Sequence, residues 1–187
     1  MFEELAIQNA LVRQLSENHD ERGSLIEVFR SDWNINLLGW ADFRIIQQNY
    51  VLSRKGALRG IHFSNHVSGQ RKILYCLEGE ILDQLVDFRV NSPTYLKKVS
   101  ILVSDSEPKL ILIPAGVGHS FQTLSENSRV IYFFDLPYSP KNEVSINPLD
   151  ISLNLKWENP AYLSEKDRTA QTWDSYLKTS DITEFES

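Results

Sequence analysis

A single cysteine, Cys76, stands in 187 residues, so one chain can build neither a disulfide framework nor a cysteine-based zinc site. Glycine and proline are sparse, at 8 and 7 residues, which excludes a collagen-like or low-complexity chain. No apolar run approaches the roughly 18 residues that a membrane helix needs. The opening MFEELAIQNALVRQ carries acids and no apolar core segment, so no secretion signal is expected there. Cations are in deficit: 19 Lys and Arg face 25 Asp and Glu, for a net charge of −6. That sign argues against a sequence-blind nucleic-acid binder, and an anionic ligand must be met by a local cluster of Arg and Lys. Apolar residues at 42% exclude wholesale disorder. The length suits one domain over residues 1–187, with 169–187 as a tail, and the expectation is a soluble, cytoplasmic protein without nucleic-acid or membrane partners.

What is present is a series of short segments rich in β-branched and aromatic residues, separated by Gly and Pro. They include 24–29, 43–53, 72–77, 80–90, 98–103, 109–114 and 129–136. Evenly spaced strands with turn signals between them predict an all-β sandwich or barrel. In 80–90, Ile81, Asp83, Leu85, Asp87 and Arg89 share one face, and acids mixed with apolar residues there suggest a cavity-lining strand or, equally, an edge strand. Asp87 and Arg89 also suit a structural ion pair. Helical signals are weak and terminal. Residues 2–15 are read as a turn or two, and 163–178 as a helix capped by Ser164 with Asp167 three residues on. The acidic end DITEFES is expected to fray.

The densest polar cluster is GALRGIHFSNH, 56–66, and its counterpart is Pro114-Ala-Gly-Val-Gly-His119. Together they resemble the two glycine-and-histidine segments of a cupin-type double-stranded β-helix, a jelly-roll barrel. The metal site of that class is not expected here. Ser64 stands where a second ligand would fall, Gln70, Arg71 and Lys72 occupy the place of the carboxylate, and cations among ligands oppose metal binding. A barrel that keeps His and Lys without a metal suits acid–base work. A neutral imidazole removes a proton next to a carbonyl, an ammonium steadies the enolate oxygen, and a Tyr hydroxyl returns a proton from the other side.

Motifs in series resemble the dTDP-4-dehydrorhamnose 3,5-epimerase family. They are Asp20-Glu21-Arg22-Gly23, Gln47-x-Asn49, Leu58-Arg59-Gly60-Ile61-His62-Phe63, Gln70-x-Lys72, the run from Gly79 through Asp83 and Asp87 to Arg89, Ser92-Pro93-Thr94, Ile113-Pro114-x-Gly116-x-x-His119-x-Phe121, Tyr132, Tyr138-x-Pro140 and Leu163-Ser164-x-Lys166-Asp167. The resemblance implies a metal-free, cofactor-free homodimer acting on a nucleotide-diphosphate sugar, part of each nucleotide site coming from the neighbouring subunit. It makes His62 the base, Asp167 the carboxylate orienting it, Tyr132 the acid and Lys72 the enolate stabiliser. Arg22, Gln47, Asn49 and Arg59 are implied to hold the diphosphate, Glu27 to contact the base and Tyr138 to pack near the nucleotide. His119 is implied to line the cavity, with Asp83 supporting His119 or Lys72. The chain departs from the family at Ser24-Leu25-Ile26, where aromatics are usual, and at Ser64, Ser120 and Phe133-Phe134. That drift suits a different nucleotide sugar or inversion of one carbon. The expected activity is inversion of C3, C5 or both in a nucleotide-linked 4-keto-6-deoxyhexose, an isomerase reaction of deoxysugar biosynthesis. A 3,4-ketoisomerase and a non-catalytic nucleotide-sugar-binding barrel are the alternatives.

Overall fold

A computed structural model describes residues 1–33, 39–180 and 185. In chain order the strands are β1 (Glu3–Glu4), β2 (Leu11–Gln14), β3 (Glu17–Asp20), β4 (Gly23–Ile26), β5 (Gln47–Arg54), β6 (Leu58–Ser64), β7 (Lys72–Glu78), β8 (Glu80–Asp87), β9 (Lys98–Ser104), β10 (Lys109–Ile113), β11 (Val117–Thr123), β12 (Asn127–Phe134) and β13 (Glu143–Ser145). Two short helices follow, α1 (Glu165–Arg168) and α2 (Trp173–Thr179). The strands form a six-stranded antiparallel sheet, β1-β2-β10-β7-β12-β5, and a five-stranded one, β13-β6-β11-β8-β9, with β3 and β4 paired only to each other. This is the all-β jelly-roll expected of the sequence. Among the described residues no helix is long and apolar enough to cross a membrane.

The apolar runs are continuous because both faces of these strands are covered. On β7, Leu74 and Cys76 point into the core between the sheets, with Ile111 and Ile113 of β10 and Ile81 and Leu85 of β8. The intervening Ile73 and Tyr75 point outward, where Trp40 and Phe43 cover them. On the far sheet, Ile61, Phe63 and Phe88 face outward beneath Trp173 and Tyr176 of α2. The mouth between the two sheets is left for polar side chains.

Two expectations fail locally. Residues 2–15 form β1 and β2 rather than helix, because β2 pairs in register with β10, Leu11 opposite Leu112; sheet pairing outweighs a marginal propensity for an isolated turn. The segment 163–178 holds two helices. Ser164 caps the first as expected, its hydroxyl accepting the Asp167 N–H at 3.0 Å. The chain then leaves the helix, Gln171 bridges Ile146, and Thr172 caps the second. Strand β8 lies between β11 and β9, so it is no edge strand. Its Asp87 is fully buried and takes both arms of Arg89, at 2.8 Å each, together with the hydroxyls of Ser92 and Thr94. The end DITEFES, apart from Phe185, lies outside the described residues.

Candidate active site

The site is a cavity of about 780 Å³ opening between the two sheets. Its floor depends on Gly60. There β6 passes so close to β11 that an added Cβ would lie 2.5 Å from the His119 carbonyl, and the backbone runs at a φ of +111°. Only glycine fits both demands, and the approach sets His62 directly opposite His119 across the strand pair.

Each of these histidines meets its own carboxylate. His62 Nε2 lies 2.6 Å from Asp167 Oδ1, joining β6 to α1. His119 Nε2 lies 2.6 Å from Asp83 Oδ2, joining β11 to β8. An ionised Asp167 accepts Nε2–H, which leaves Nδ1 as the lone-pair nitrogen of a neutral His62 ring. Burial pushes the Asp167 carboxyl up, but the hydrogen bonds from His62 and from Ser164 outweigh it, and the net shift is downward. Asp167 is therefore ionised and suited to orient the ring.

The opposite wall comes from the six-stranded sheet. Lys72 begins β7 and Tyr132 lies on the adjoining β12, where Phe134 pairs with Lys72 and Tyr132 with Leu74. Lys72 Nζ reaches across the cavity to donate to the His62 carbonyl at 3.0 Å. Burial lowers its pKa to about 8, against the opposing pull of Glu143 and Asp83. Tyr132 packs edge-on against His119, with centroids 5.4 Å apart, and stacks with Phe134 at 5.9 Å. Burial and the nearby Asp83 raise its pKa well above the ordinary phenol value, so it carries its proton at neutral pH.

Arg59 enters from β6, anchored by Ser53 Oγ at 2.9 Å. Gln47 and Asn49 of β5 bond each other at 2.9 Å, and Gln47 Oε1 also accepts the Tyr138 N–H at 2.7 Å. Arg54, Arg59, Lys72 and Lys166 line the same space, supplying the local cation cluster that an acidic chain needs for an anionic ligand.

The structure therefore brings His62, Lys72, Tyr132, Asp167, Gln47, Asn49, Arg59, His119 and Tyr138 to one cavity, with Asp83 directly behind His119. Asp83 bonds His119 and does not itself line the cavity. Arg22 and Glu27 are not brought there. Arg22 is exposed on the β3–β4 hairpin and bonds Asp20 at 2.6 Å, and Glu27 lies 3.4 Å from Arg30. A hairpin paired only with itself holds both away from the cavity of their own chain. Sequence reasoning missed Glu143, Lys166 as a site residue, and the wall formed by Arg54 over the Tyr162 ring at 3.6 Å. Lys166 was visible as the neighbour of Asp167 in the Leu163-to-Asp167 motif, whereas Glu143 carried no comparable signal. Among the described residues no three His, Cys, Asp or Glu side chains converge as metal ligands.

A barrel with this constellation has known relatives. The model of the dTDP-4-dehydrorhamnose 3,5-epimerase family matches residues 4–175. The chain belongs to that family. It is similar to the dTDP-4-dehydrorhamnose 3,5-epimerase of Streptomyces griseus, 35% identical over 89% of this chain and 83% of the relative. It is also similar to a dTDP-4-dehydro-6-deoxyglucose 3-epimerase from Streptomyces sp, 33% identical over 90% of this chain and 86% of the relative. Among solved structures, a dTDP-6-deoxy-D-glucose-3,5-epimerase from Legionella pneumophila Philadelphia 1, in complex with dTDP-4-keto-L-rhamnose, superposes with a TM-score of 0.89 at 30% identity. The match covers 100% of this chain and 99% of that one. The chain is thus an epimerase-family isomerase on a cupin-like barrel, and its cavity is where the family's chemistry has to be sought.

Proposed function

We propose that this chain inverts one or both of the carbons flanking the ketone, C3 and C5, of a dTDP-linked 4-keto-6-deoxyhexose. The observation that carries the reading is the placement of base and acid on opposite walls. His62 with Asp167 stands on the five-stranded side, and Tyr132, half-buried and protonated, stands on the six-stranded side. Epimerisation requires removal of a proton from one face of a carbon and its return to the other. A single base on one face would restore the original centre.

In this reading His62 Nδ1 takes the proton from C3. The electron pair moves into the C3–C4 bond and onto the C4 oxygen, where the Lys72 ammonium stabilises the enolate. Collapse of the enolate draws the Tyr132 proton onto the opposite face of C3. The buried Lys72 spends little on reorganisation because its ammonium is already held by the His62 carbonyl. Arg59, Gln47 and Asn49 take the diphosphate end, where a planar guanidinium suits bidentate binding of phosphate oxygens. Tyr138 packs by the nucleotide, and His119, fixed by Asp83, shapes the wall beside Tyr132. A nucleotide sugar substrate and a buried thiol suit a cytoplasmic enzyme.

The test is incubation with dTDP-4-keto-6-deoxyglucose in D₂O, with deuterium followed by mass spectrometry and NMR. Deuterium at C3 and C5 with inverted products supports a 3,5-epimerase, and deuterium at C3 alone a monoepimerase. A moved carbonyl would replace the reading by ketoisomerisation, and nucleotide binding without any deuterium uptake would leave a binding barrel.

The chain works as a homodimer in this reading, because Arg22 and Glu27 lie outside their own cavity. Edge strand β5 shows Tyr50 and Leu52 to solvent, and the hairpin shows Leu25, an apolar surface suited to a second copy. A His62→Ala chain mixed with an Arg22→Ala chain then restores activity, since a hybrid dimer with crossed contributions holds one intact site. No recovery after refolding the mixture, or a monomer by sedimentation, removes the shared-site reading.

A further inference from the structure

Phe133 and Phe134 end β12, and the alternation of the strand sends them to opposite faces. Phe133 joins the outer cover, where it stacks on Phe29 with centroids 6.4 Å apart. Phe134 turns to the cavity, opposite Gln47 of β5 and Lys72 of β7, and has no part in the reaction as derived. It shares a face with Tyr132, and the two rings stack at 5.9 Å with 25° between their planes. Tyr132 has two further ring neighbours. His119 meets it edge-on at 5.4 Å and is itself held by Asp83 at 2.6 Å, and Phe121 lies tilted at 6.3 Å. Among the described residues nothing hydrogen-bonds the Tyr132 hydroxyl. The direction of the phenol is therefore set by packing.

We propose that Phe134 is a positioning residue for the epimerisation, the ring that holds Tyr132 against His119 and so aims its hydroxyl at the carbon receiving the proton. The inference rests on the epimerase reading for its purpose and on ring geometry among this chain's own residues for its content. An acid that must release its proton to the substrate gains nothing from a resident acceptor, which would take that proton in the ground state. A flat aromatic face fixes the plane of the phenol through dispersion and quadrupole contacts and leaves the O–H free. The three neighbouring rings divide this task. His119 and Phe121 are fixed parts of the barrel interior, 4% and 0% exposed, and back the phenol from within. Phe134 is half-buried at the end of its strand and closes a further side of the ring. Without its ring, the Tyr132 side chain is free to tip toward the vacated space. The hydroxyl then leaves its place opposite His62, and a displacement of about 1 Å is enough to cost about 10²-fold in a transfer step.

The test reads where the Tyr132 ring lies and which face of the sugar receives the proton. Phe134→Leu keeps an apolar side chain and removes the ring, whereas Phe134→Tyr keeps a ring. In protein with labelled tyrosine and histidine, NOEs between the Tyr132 and His119 rings, assigned by their loss in Tyr132→Phe, are expected in the parent and in Phe134→Tyr and are lost in Phe134→Leu. With dTDP-4-keto-6-deoxyglucose in D₂O, Phe134→Leu returns deuterated substrate of unchanged configuration. Its yield of inverted product per deuteron taken up falls by about 10²-fold, while Phe134→Tyr keeps the parent's ratio. A generally loosened cavity slows uptake and inversion together and leaves that ratio alone. Phe134→Met is measured in the same way should Phe134→Leu not fold. Unchanged NOEs in the ringless variant, an unchanged ratio of inversion to uptake, or a ratio in Phe134→Tyr as low as in Phe134→Leu overturns the proposal. The NOE readout involves no turnover, so failure here is separate from failure of the epimerase reading, which shows as no deuterium uptake by the parent.

Discussion

Replacing His62 by alanine is expected to abolish solvent deuterium uptake at every carbon of the sugar and to lower the rate by about 10²–10⁴-fold, the span typical of a single positioned general base. Proton removal is the first step at each carbon, so its loss reaches all later ones. The His62 ring lies at the mouth of the cavity and bonds Asp167. The variant leaves the buried Asp167 carboxylate short of a partner and should melt below the parent, yet still bind dTDP, and that binding separates loss of chemistry from loss of structure. His62→Asn, which keeps a hydrogen bond to Asp167 within reach but cannot act as a base near neutral pH, should fall as far. Turnover within about threefold of the parent in either variant would remove His62 from the role of base, since such a change is far below what a general base contributes.

Tyr132→Phe is expected to give a different failure. The ring keeps its packing against His119 and Phe134, so the cavity wall survives. In the proposed mechanism His62 still removes the proton and Lys72 still holds the enolate. Without a donor on the six-stranded side, the proton comes back from His62 on the face it left. Deuterium then washes into the substrate while its configuration is retained, and formation of inverted product drops by about 10²–10⁴-fold. NMR distinguishes this from simple inactivity, because the exchanged carbon loses its proton signal without the coupling constants of the epimer appearing. Equal loss of exchange and inversion would mean that Tyr132 acts before the enolate forms, and the assignment of acid and base to opposite walls would fall.

Much of the barrel was legible because its strands are apolar on both faces. KILYCL and KLILI are unbroken runs, and each faces the inter-sheet core on alternate residues and an outer aromatic or aliphatic cover on the others. Such strands announce themselves without a clean alternation. The N-terminal β1 and β2 did not, since Glu3–Glu4 and Leu11–Gln14 have little strand character of their own; β2 becomes a strand by pairing with β10 nearly a hundred residues later, and β1 by pairing with β2. The histidines and Lys72 stood out because polar residues bracketed by Gly60 and Gly116 interrupt otherwise apolar strands. Glu143 did not, because Lys-Asn-Glu-Val-Ser reads as an ordinary surface turn. Its meaning comes from β13 closing against β6, a tertiary event without local signature. Arg22 and Glu27 show the converse: motif spacing marked them, yet the fold of one chain leaves them on an outlying hairpin.

The bond between His62 and Asp167 closes a loop of 105 residues. Around it, β2 waits for β10, β5 for β12 and β6 for β11 and β13. A topology dominated by such distant pairings folds slowly, on the order of milliseconds to seconds, because chain entropy is lost before the contacts that repay it exist. During synthesis no partial barrel carries a working site. Until the Asp167 segment has left the ribosome, His62 has no carboxylate partner and Glu143 no Lys166 to hold. In the proposed mechanism a nascent chain therefore acquires its chemistry in one late step.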